Sequence, residues 1–377
     1  MKSQKVQSRV SVMSLMVLIS FAVTTAVVNV PSHREAIAEE VPSIGPLPAI
    51  ETPDSALVEL GEMLFFDKRL SGDGGLSCAT CHDPTKGWGD GIPLSTGYTG
   101  SLYFRNAKTI LNAVYARYFY WDGRLTASDL QTQVRDSITE THFMNLDGRI
   151  MLERLKQVPE YVALFNKTLG GEPSFGRTLN AIAAFEKTVV SKNTPFDQGN
   201  LSPEAQRGRA LFESKAGCIQ CHNGPYFSDG KPHNTGVPAN PDVFRDAVRH
   251  ITFRSVLKFL GVPNYMNLRQ DVGYYAVSKH QKDMGKFFTP TVREVERTAP
   301  YMHNGVFSTL EEVVEFYNRG GGHGQHKSPF LKPLWLSDTE KAALIAFLKS
   351  LSGDEIIVEP PELPAYQIIE NWKTVKN

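Results

Sequence analysis

Apolar residues recur every three or four positions in several parts of the chain, with polar residues between them. This spacing is typical of amphipathic helices and predicts helices over residues 147–156, 177–190 and 243–260. The third stretch carries four basic residues, which indicate either a solvated helix face or a docking surface for an acidic partner. The residues concerned are Ile150, Leu152 and Leu155; Leu179, Ile182, Ala183 and Phe185; and Arg245, Arg249, Arg254 and Lys258.

Two more helices are predicted near the end of the chain. Ser308-Thr309-Leu310-Glu311 is a capping box, a sequence that opens helices because its side chains bond the first free backbone N–H groups. The second helix runs from Ser337-Asp338-Thr339-Glu340 to Gly353. No stretch shows a strand pattern strong enough to predict a sheet, so the predicted fold class is all-α. The predicted inward faces are Leu310, Val313, Val314 and Tyr317, then Leu344, Phe347, Leu348 and Leu351.

The beginning of the chain has the pattern of an export signal. Lys2, Lys5 and Arg9 precede an uncharged run over residues 10–32, and Ala36-Ile37-Ala38 matches a small-x-small cleavage site. We predict a signal peptide over residues 1–38. A retained membrane anchor is the alternative, because the run is long enough to span a bilayer. Residues 39–56 are rich in Pro, Ala and Glu and are predicted to be a linker.

Composition and charge bear on the number of domains and on the kind of binding partner. The chain has 377 residues, of which 41% are hydrophobic, and this length is enough for about two domains with packed cores. Its 40 acidic and 40 basic side chains balance, which argues against a broad electrostatic surface for nucleic acid.

Two Cys-x-x-Cys-His pentads carry the candidate chemistry: Cys78-Ala79-Thr80-Cys81-His82 and Cys218-Ile219-Gln220-Cys221-His222. The pattern is typical of covalent haem c attachment, in which both thiols bind the porphyrin and the histidine binds the iron. A zinc site, a redox-active thiol pair and two disulfides are the alternatives. Zinc needs four ligands gathered in one place, and a thiol pair needs no following histidine.

The segments before the two pentads are similar, which indicates an internal repeat. Gly61-Glu62-Met63-Leu64-Phe65 precedes the first pentad, and Gly208-Arg209-Ala210-Leu211-Phe212 precedes the second. We therefore predict two haem c domains, over residues 57–195 and 196–377.

Several further stretches are specific enough to indicate a family. Together with the pentads, they make the chain resemble the bacterial di-haem cytochrome c peroxidase and MauG superfamily over nearly all of its length after the signal. The stretches are residues 78–91, Arg105-Asn106-Ala107, Trp121-Asp122-Gly123-Arg124, residues 218–224, Phe288-Thr289-Pro290-Thr291-Val292-Arg293, residues 298–305 and residues 309–314.

This resemblance implies two cytochrome-c-like domains packed together, each with one covalently bound haem c, and a Ca²⁺ ion between them. His82 and His222 match the proximal ligands, and the N-terminal haem would react with peroxide while the C-terminal haem transfers electrons. Trp121 matches the residue between the haems, whose electron-rich ring can carry an oxidising equivalent. The calcium ligands are matched by Asn106, Thr298 and Pro300.

Tyr317 is one departure from the peroxidases of this family, which use a Met at this position to bind the second haem. MauG-like members have Tyr there, so the resemblance implies that Tyr317 binds the C-terminal iron, although helical spacing alone also fits a core tyrosine. A phenolate favours the higher oxidation states of iron, whereas a thioether favours Fe(II). This difference argues for storage of oxidising equivalents over simple peroxide detoxification.

The other departures concern the N-terminal haem. Gly97-Tyr98 stands where some peroxidases have Gly-His with a displaceable distal ligand, so an open iron face is expected unless Tyr98 itself binds. Phe143 stands where the family has an acid–base Glu, and peroxide cleavage needs a proton relay. The candidates are His142 as the substitute, Glu140 as the next choice, and Gln131 and Gln133 as polar partners.

Three functions are compatible with these features. The leading one is a periplasmic MauG-like oxidoreductase that reacts with hydrogen peroxide and oxidises a partner protein. The second is a di-haem cytochrome c peroxidase that takes electrons from a small c-type cytochrome or cupredoxin. The third is an electron carrier with both irons six-coordinate. A periplasmic location without a stable membrane span after signal cleavage is expected, because haem c is attached beyond the inner membrane.

Overall fold

The computed structural model describes residues 41–98, 101–126 and 129–366. The predicted signal peptide, the first two residues of the predicted linker and residues 367–377 lie outside these ranges. No helix within them is long and apolar enough to cross a membrane. The α-helices of the described residues are α1 (Ser55–Phe66), α2 (Cys78–Cys81), α3 (Leu130–Thr139), α4 (Gly148–Lys156), α5 (Pro159–Leu169), α6 (Phe175–Glu186), α7 (Pro203–Glu213), α8 (Asp242–Arg245), α9 (Ala247–Phe259), α10 (Tyr275–Ser278), α11 (Leu310–Asn318) and α12 (Asp338–Lys349).

Short strands accompany the helices. β1 (Tyr118–Phe119) pairs antiparallel with β2 (Leu125–Thr126), and β3 (Pro232–His233) pairs antiparallel with β4 (Phe287–Phe288). The expected helix-rich fold is therefore confirmed, whereas the expectation of no sheet is wrong in this detail. Strands of two residues are too short to produce an alternating pattern in the sequence.

The helices predicted from the apolar pattern are present, with one break. The helix expected over residues 243–260 is divided into α8 and α9 at Asp246, whose carboxylate accepts from the backbone N–H groups of Val248 and Arg249. One of its basic residues is not simply solvated, because Arg249 Nη1 donates to Ser95 O at 2.9 Å.

Two helices differ in detail from the sequence pattern. On α4, Ile150 belongs to the apolar spacing but is 51% exposed, and Met151 is buried. The capping box of α11 is formed by Thr309 and Glu312, one position later than predicted.

Gly61 on α1 and Gly208 on α7 occupy equivalent places in the two halves. A Cβ at Gly61 would lie 1.9 Å from Ala181 O on α6, and one at Gly208 would lie 1.9 Å from Ala343 O on α12. Both contacts are too short for any side chain, so only glycine lets α1 pack against α6 and α7 against α12. The repeated Gly and Leu-Phe sequence before each pentad is thus explained by a repeated helix crossing.

Two of the clusters of buried apolar residues correspond to the two halves of the chain. One contains α1 and α3–α6 residues between Leu60 and Val189, and the other contains α7, α11 and α12 residues together with Ile44. Segments near the two ends of the described chain each contact the cluster of the opposite half. Ile44 packs in the second cluster, while Trp88 Nε1–H, in the first, donates to Ile356 O at 2.9 Å.

We expect Gly61→Ala and Gly208→Ala each to destabilise the protein by about 1–3 kcal/mol, because the added methyl group forces packed helices apart. The denaturant midpoint of the haem-loaded protein measures this loss. Gly176→Ala on α6 is the matched control, since a Cβ there meets nothing within 4 Å and Ala is the better helix former. An equal loss at Gly176 would contradict the crossing argument.

Candidate active site

The first pentad lies at the wall of a cavity in the N-terminal half. Cys78 and Cys81 belong to the single turn α2, where the Ser77 N–H donates to Thr80 Oγ1 at 3.0 Å. Both cysteines and His82 line the cavity, which has about 1290 Å³ of empty space including the part open to solvent. The turn thus presents both thiols and the imidazole to one space.

The second pentad lies at the wall of a cavity in the C-terminal half. Cys218 starts a single 3₁₀ turn, and Cys221 and His222 follow it. All three line this cavity, which has about 1840 Å³ of empty space including its open part. Two thiols and one histidine at the wall of a large cavity are the donor set that covalent haem requires, so both cavities fit haem c.

His82 and His222 are oriented by equivalent hydrogen bonds. His82 Nδ1 lies 3.1 Å from Trp88 O, and His222 Nδ1 lies 3.2 Å from Phe227 O. Trp88 and Phe227 both have positive φ, 59° and 55°. When Nδ1–H donates to these carbonyls, Nε2 is the nitrogen left for iron. Burial lowers the pKa of both imidazoles below the ordinary value, which favours the neutral form that binds metal.

The cysteine environments argue against the other interpretations of the pentads. Burial raises the pKa of all four thiols, to about 11 for Cys81 and to about 12 for Cys218 and Cys221. Neutral thiols are poor nucleophiles and poor zinc ligands. None of the four is in a disulfide. The ligand atoms of Cys221, Asp229 and His233 lie within 4.8 Å of one another, but this group is one ligand short of the usual zinc set.

A partition of a few residues separates the two cavities. Residues 106–109, Trp121 and Tyr226 line both of them. Trp121 Nε1–H donates to Asn106 O at 2.9 Å, which fixes the indole ring against the backbone of the partition. Trp121 therefore lies between the two cavities that fit haem c.

Lys108 places a cation in the same partition. Its Nζ lies 5.2 Å from the centroid of the Trp121 ring, within the range of a cation–π contact. Burial lowers the pKa of Lys108 to about 8, against an opposing effect of the Asp122 carboxylate. This lysine could not be predicted as a site residue, because nothing in the sequence shows that it contacts Trp121.

A chain of buried charges surrounds the Trp-Asp-Gly-Arg segment. Arg105 is 1% exposed and lies 2.6 Å from both Asp122 and Asp271. Arg124 lies 3.3 Å from Asp122 and 3.2 Å from Glu140. Burial alone would raise the pKa of Asp122, yet the two guanidinium groups hold it below its ordinary value. Each buried charge thus has an opposite partner, and the network holds Trp121 through its neighbour.

The glycine of this segment has a steric role. Gly123 has a φ of 62°, and a Cβ there would lie 2.1 Å from Phe288 Cε2. In the sequence, this segment indicated the family, and Trp121 was its one residue with a predicted role. The structure adds that Asp122, Gly123 and Arg124 set the local geometry.

Tyr317 is on α11 and lines the C-terminal cavity together with His222. Its ring lies 5.1 Å from that of Phe316, which is buried. Burial raises the pKa of Tyr317 above its ordinary value, so a phenolate here needs a cation to stabilise it. A ferric iron held by His222 would supply that charge.

The residues predicted to bind calcium line one of the two cavities. Asn106, Thr298 and Pro300 are all at the wall of the C-terminal cavity. Asn106 N–H donates to His303 O at 2.8 Å, and Asn106 Nδ2 donates to Ile92 O at 2.9 Å, which leaves the amide oxygen for another partner. Oxygen donors from an amide and from backbone carbonyls suit Ca²⁺, so the residues fit the ion.

Among the four predicted acid–base residues, Gln133 lines the N-terminal cavity and the other three are not among its described lining residues. Gln131 Nε2 donates to Asn180 Oδ1 at 2.8 Å on the exposed side of α3. His142 Nε2 lies 2.8 Å from Glu140 Oε2 without the alignment of a hydrogen bond. Of the four, Gln133 is therefore the residue that lines this cavity within the described part of the chain.

Two aromatic residues that contact His142 belong to this wall. Tyr103 and Phe143 line the cavity, and His142 stacks on Tyr103 with ring centroids 5.3 Å apart. Tyr98 packs towards Gly72, where a Cβ would lie 2.7 Å from Tyr98 Cε2, and it is not among the described lining residues. Phe143 stands at the sequence position of the family's acid–base Glu and lines the cavity. The cavity wall is therefore apolar at this position.

Glu186 is a cavity residue that the sequence analysis missed. It ends α6, lines the N-terminal cavity and is 5% exposed. Burial raises its pKa to about 8, so the carboxyl group is mostly protonated at pH 7. The signal in the sequence was an acidic residue directly after the inward-facing Phe185, at the end of a predicted amphipathic helix.

Comparisons with known proteins agree with this arrangement. A family model described as di-haem cytochrome c peroxidase matches residues 55–206. The chain is 53% identical over 330 residues to cytochrome-c peroxidase IdrP2 of Pseudomonas sp. (strain SCT), covering 86% of this chain and 89% of the relative. It is 36% identical over 321 residues to methylamine utilization protein MauG of Methylorubrum extorquens, covering 83% and 82%.

A solved structure shows the same fold. A MauG-like protein associated with microbial copper homeostasis superposes with a TM-score of 0.69 and 28% identity, covering 85% of this chain and 96% of that one. Two cavities with paired cysteines and a histidine define a di-haem c-type oxidoreductase. The chain belongs to the di-haem cytochrome c peroxidase and MauG family, whose cofactor is haem c.

Proposed function

We propose that this protein is a periplasmic, MauG-like oxidoreductase that uses hydrogen peroxide to oxidise a side chain of a partner protein. Two covalently bound haems would supply the chemistry, since peroxide accepts two electrons and the pair holds both oxidising equivalents until the partner returns electrons. The cytochrome-c-like domains would be residues 57–195 and 196–377, with Ca²⁺ held by Asn106, Thr298 and Pro300. The haem ligands would be Cys78, Cys81 and His82, then Cys218, Cys221, His222 and Tyr317.

The single observation that carries this proposal is the place of Tyr317. Its ring lines the same cavity as His222, on a helix whose Leu310 and Val314 are buried beside it. A phenolate ligand lowers the reduction potential of iron relative to a thioether, because its negative charge stabilises the higher oxidation state. A small redox protein would then reduce this haem with difficulty, and the oxidised state would persist.

The N-terminal cavity supports a peroxide site. Gln133 offers a polar contact, Phe143 excludes a charged group, and Glu186 can hold a proton within the same cavity. We propose Gln133 as the residue that binds peroxide, because it lines the cavity while His142 lies behind Tyr103. Trp121 in the partition would carry the oxidising equivalents to the second haem.

Cytochrome c peroxidase activity with a small c-type cytochrome or cupredoxin as donor is the second candidate. It is favoured by the relative with 53% identity, whose name is cytochrome-c peroxidase IdrP2. An electron carrier that does not react with peroxide is the third candidate. It would need protein ligands on both faces of each haem, so that both irons are six-coordinate and peroxide cannot bind.

Peroxide titration of the purified di-haem protein tests the three functions. We expect one equivalent of peroxide to withdraw two electrons from the haem pair. We expect the oxidised haem pair to persist after peroxide has been mixed in. We also expect a reduced small cytochrome to be oxidised slowly. Rapid oxidation of two donor molecules per peroxide would support the peroxidase instead. Two low-spin ferric haems whose spectra do not change on addition of peroxide would support the electron carrier.

A further inference from the structure

Two tyrosines connect the partition with the protein surface. Tyr226 lines both cavities, and its ring centroid lies 6.4 Å from that of Tyr115. Tyr115 ends a 3₁₀ turn whose neighbours Ala113 and Ala116 line the N-terminal cavity. At the exposed side, the Tyr115 hydroxyl donates to Pro48 O at 2.7 Å. The pair therefore runs from the space between the two cavities to solvent.

We propose that Tyr226 and Tyr115 form the path by which oxidising equivalents leave the haem pair for a redox partner protein at the surface. This inference rests on the proposed function and names the exit that it needs. Tyr115 loses one electron through the Tyr226 ring to the oxidised haem pair, and its phenolic proton passes to solvent water. The neutral phenoxyl group then takes one electron from the partner and one proton from water. The partner loses one electron for each electron that the haem pair regains.

The surroundings of the two rings support this direction. A phenol is oxidised more easily when its proton can leave, because a neutral radical replaces a charged one. Tyr115 is partly exposed, and its hydroxyl donates to Pro48 O on the exposed side, so its proton can pass to water there. Tyr226 faces the two cavities instead. Burial raises the pKa of both phenols above the ordinary value, so the difference between them is their access to water. The oxidising equivalent should therefore settle on Tyr115, the outer ring of the pair.

The proposal is tested by radical trapping on the di-haem holoprotein. One equivalent of hydrogen peroxide is added with a nitroso spin trap, and the position of the adduct is found by peptide mass spectrometry. The haem spectrum is followed in the same sample. The variants are Tyr115→Phe, Tyr226→Phe and, as matched control, Tyr265→Phe, which removes a partly buried tyrosine that is among the described lining residues of neither cavity.

We expect the adduct on Tyr115 in the unchanged protein and in Tyr265→Phe, with a loss of at least tenfold in Tyr226→Phe. Tyr115→Phe should still show the peroxide-induced change in the haem spectrum but carry no adduct at residue 115. Haem oxidation with no adduct on Tyr115 in the unchanged protein would overturn the exit and leave the proposed function standing. An undiminished adduct in Tyr226→Phe would overturn the path. Haems that peroxide does not oxidise would overturn the function and the exit together.

Discussion

Tyr317→Met should raise the reduction potential of the C-terminal haem by about 0.3 V, well inside the ~0.8 V over which axial ligands tune haem. The thioether is neutral and favours Fe(II), whereas the phenolate that Tyr317 would supply stabilises the higher oxidation states. At ~59 mV for each factor of ten, this shift changes the ratio of oxidised to reduced haem by about five powers of ten. The variant should then accept electrons from a small cytochrome and lose its long-lived oxidised state. A spectroelectrochemical titration measures the potential.

Tyr301→Phe is the matched control for this change. Tyr301 lines the same cavity, but its hydroxyl donates to Val295 O at 3.0 Å and is engaged with the backbone. Removing that hydroxyl should leave the potential of the haem almost unchanged. Tyr317→Phe, which has no ligand atom, should give a high-spin C-terminal haem. An unaltered potential and spectrum in both Tyr317 variants would show that this side chain does not bind iron.

Much of the helical framework could be predicted because local patterns determine it. α4, α6, α11 and α12 each carry an apolar face that the sequence shows directly. The pentads were equally visible, because covalent attachment fixes both the residue types and their spacing. The Gly and Leu-Phe repeat could be found in the sequence, but its cause is a contact between helices more than a hundred residues apart.

The contacts around the partition could not be predicted, because they join irregular segments that are distant in the sequence. Arg105 bonds Asp271 across 166 positions, and Arg293 bonds Gly45 O across 248 positions. No periodicity marks such pairs. The preference for His142 over Gln133 had the same limit, since nothing in the sequence shows that Gln133 lines the N-terminal cavity while His142 is not among its described lining residues.

Trp121→Phe is expected to slow the spread of oxidising equivalents between the haems by about tenfold or more, equal to at least ~1.4 kcal/mol of barrier. Phenylalanine fills a similar space but is much harder to oxidise, and it cannot donate to Asn106 O as the indole does. Peroxide should still react at the N-terminal haem. Stopped-flow absorbance and freeze-quench EPR follow the two haems separately. Trp335→Phe, which changes a tryptophan that is 82% exposed, is the control.

The charge of Lys108 is expected to determine whether Trp121 holds an oxidising equivalent or only passes it on. A protonated amine 5.2 Å from the ring centroid makes removal of an electron from the indole harder, so the ring should pass the oxidising equivalent without holding it. Lys108→Met keeps the length of the side chain and removes the charge, and it should let a tryptophan radical accumulate in freeze-quench EPR after peroxide. That radical must vanish when Trp121→Phe is added. Equal oxidation of both haems at the native rate in Trp121→Phe would show instead that the partition passes electrons without the indole.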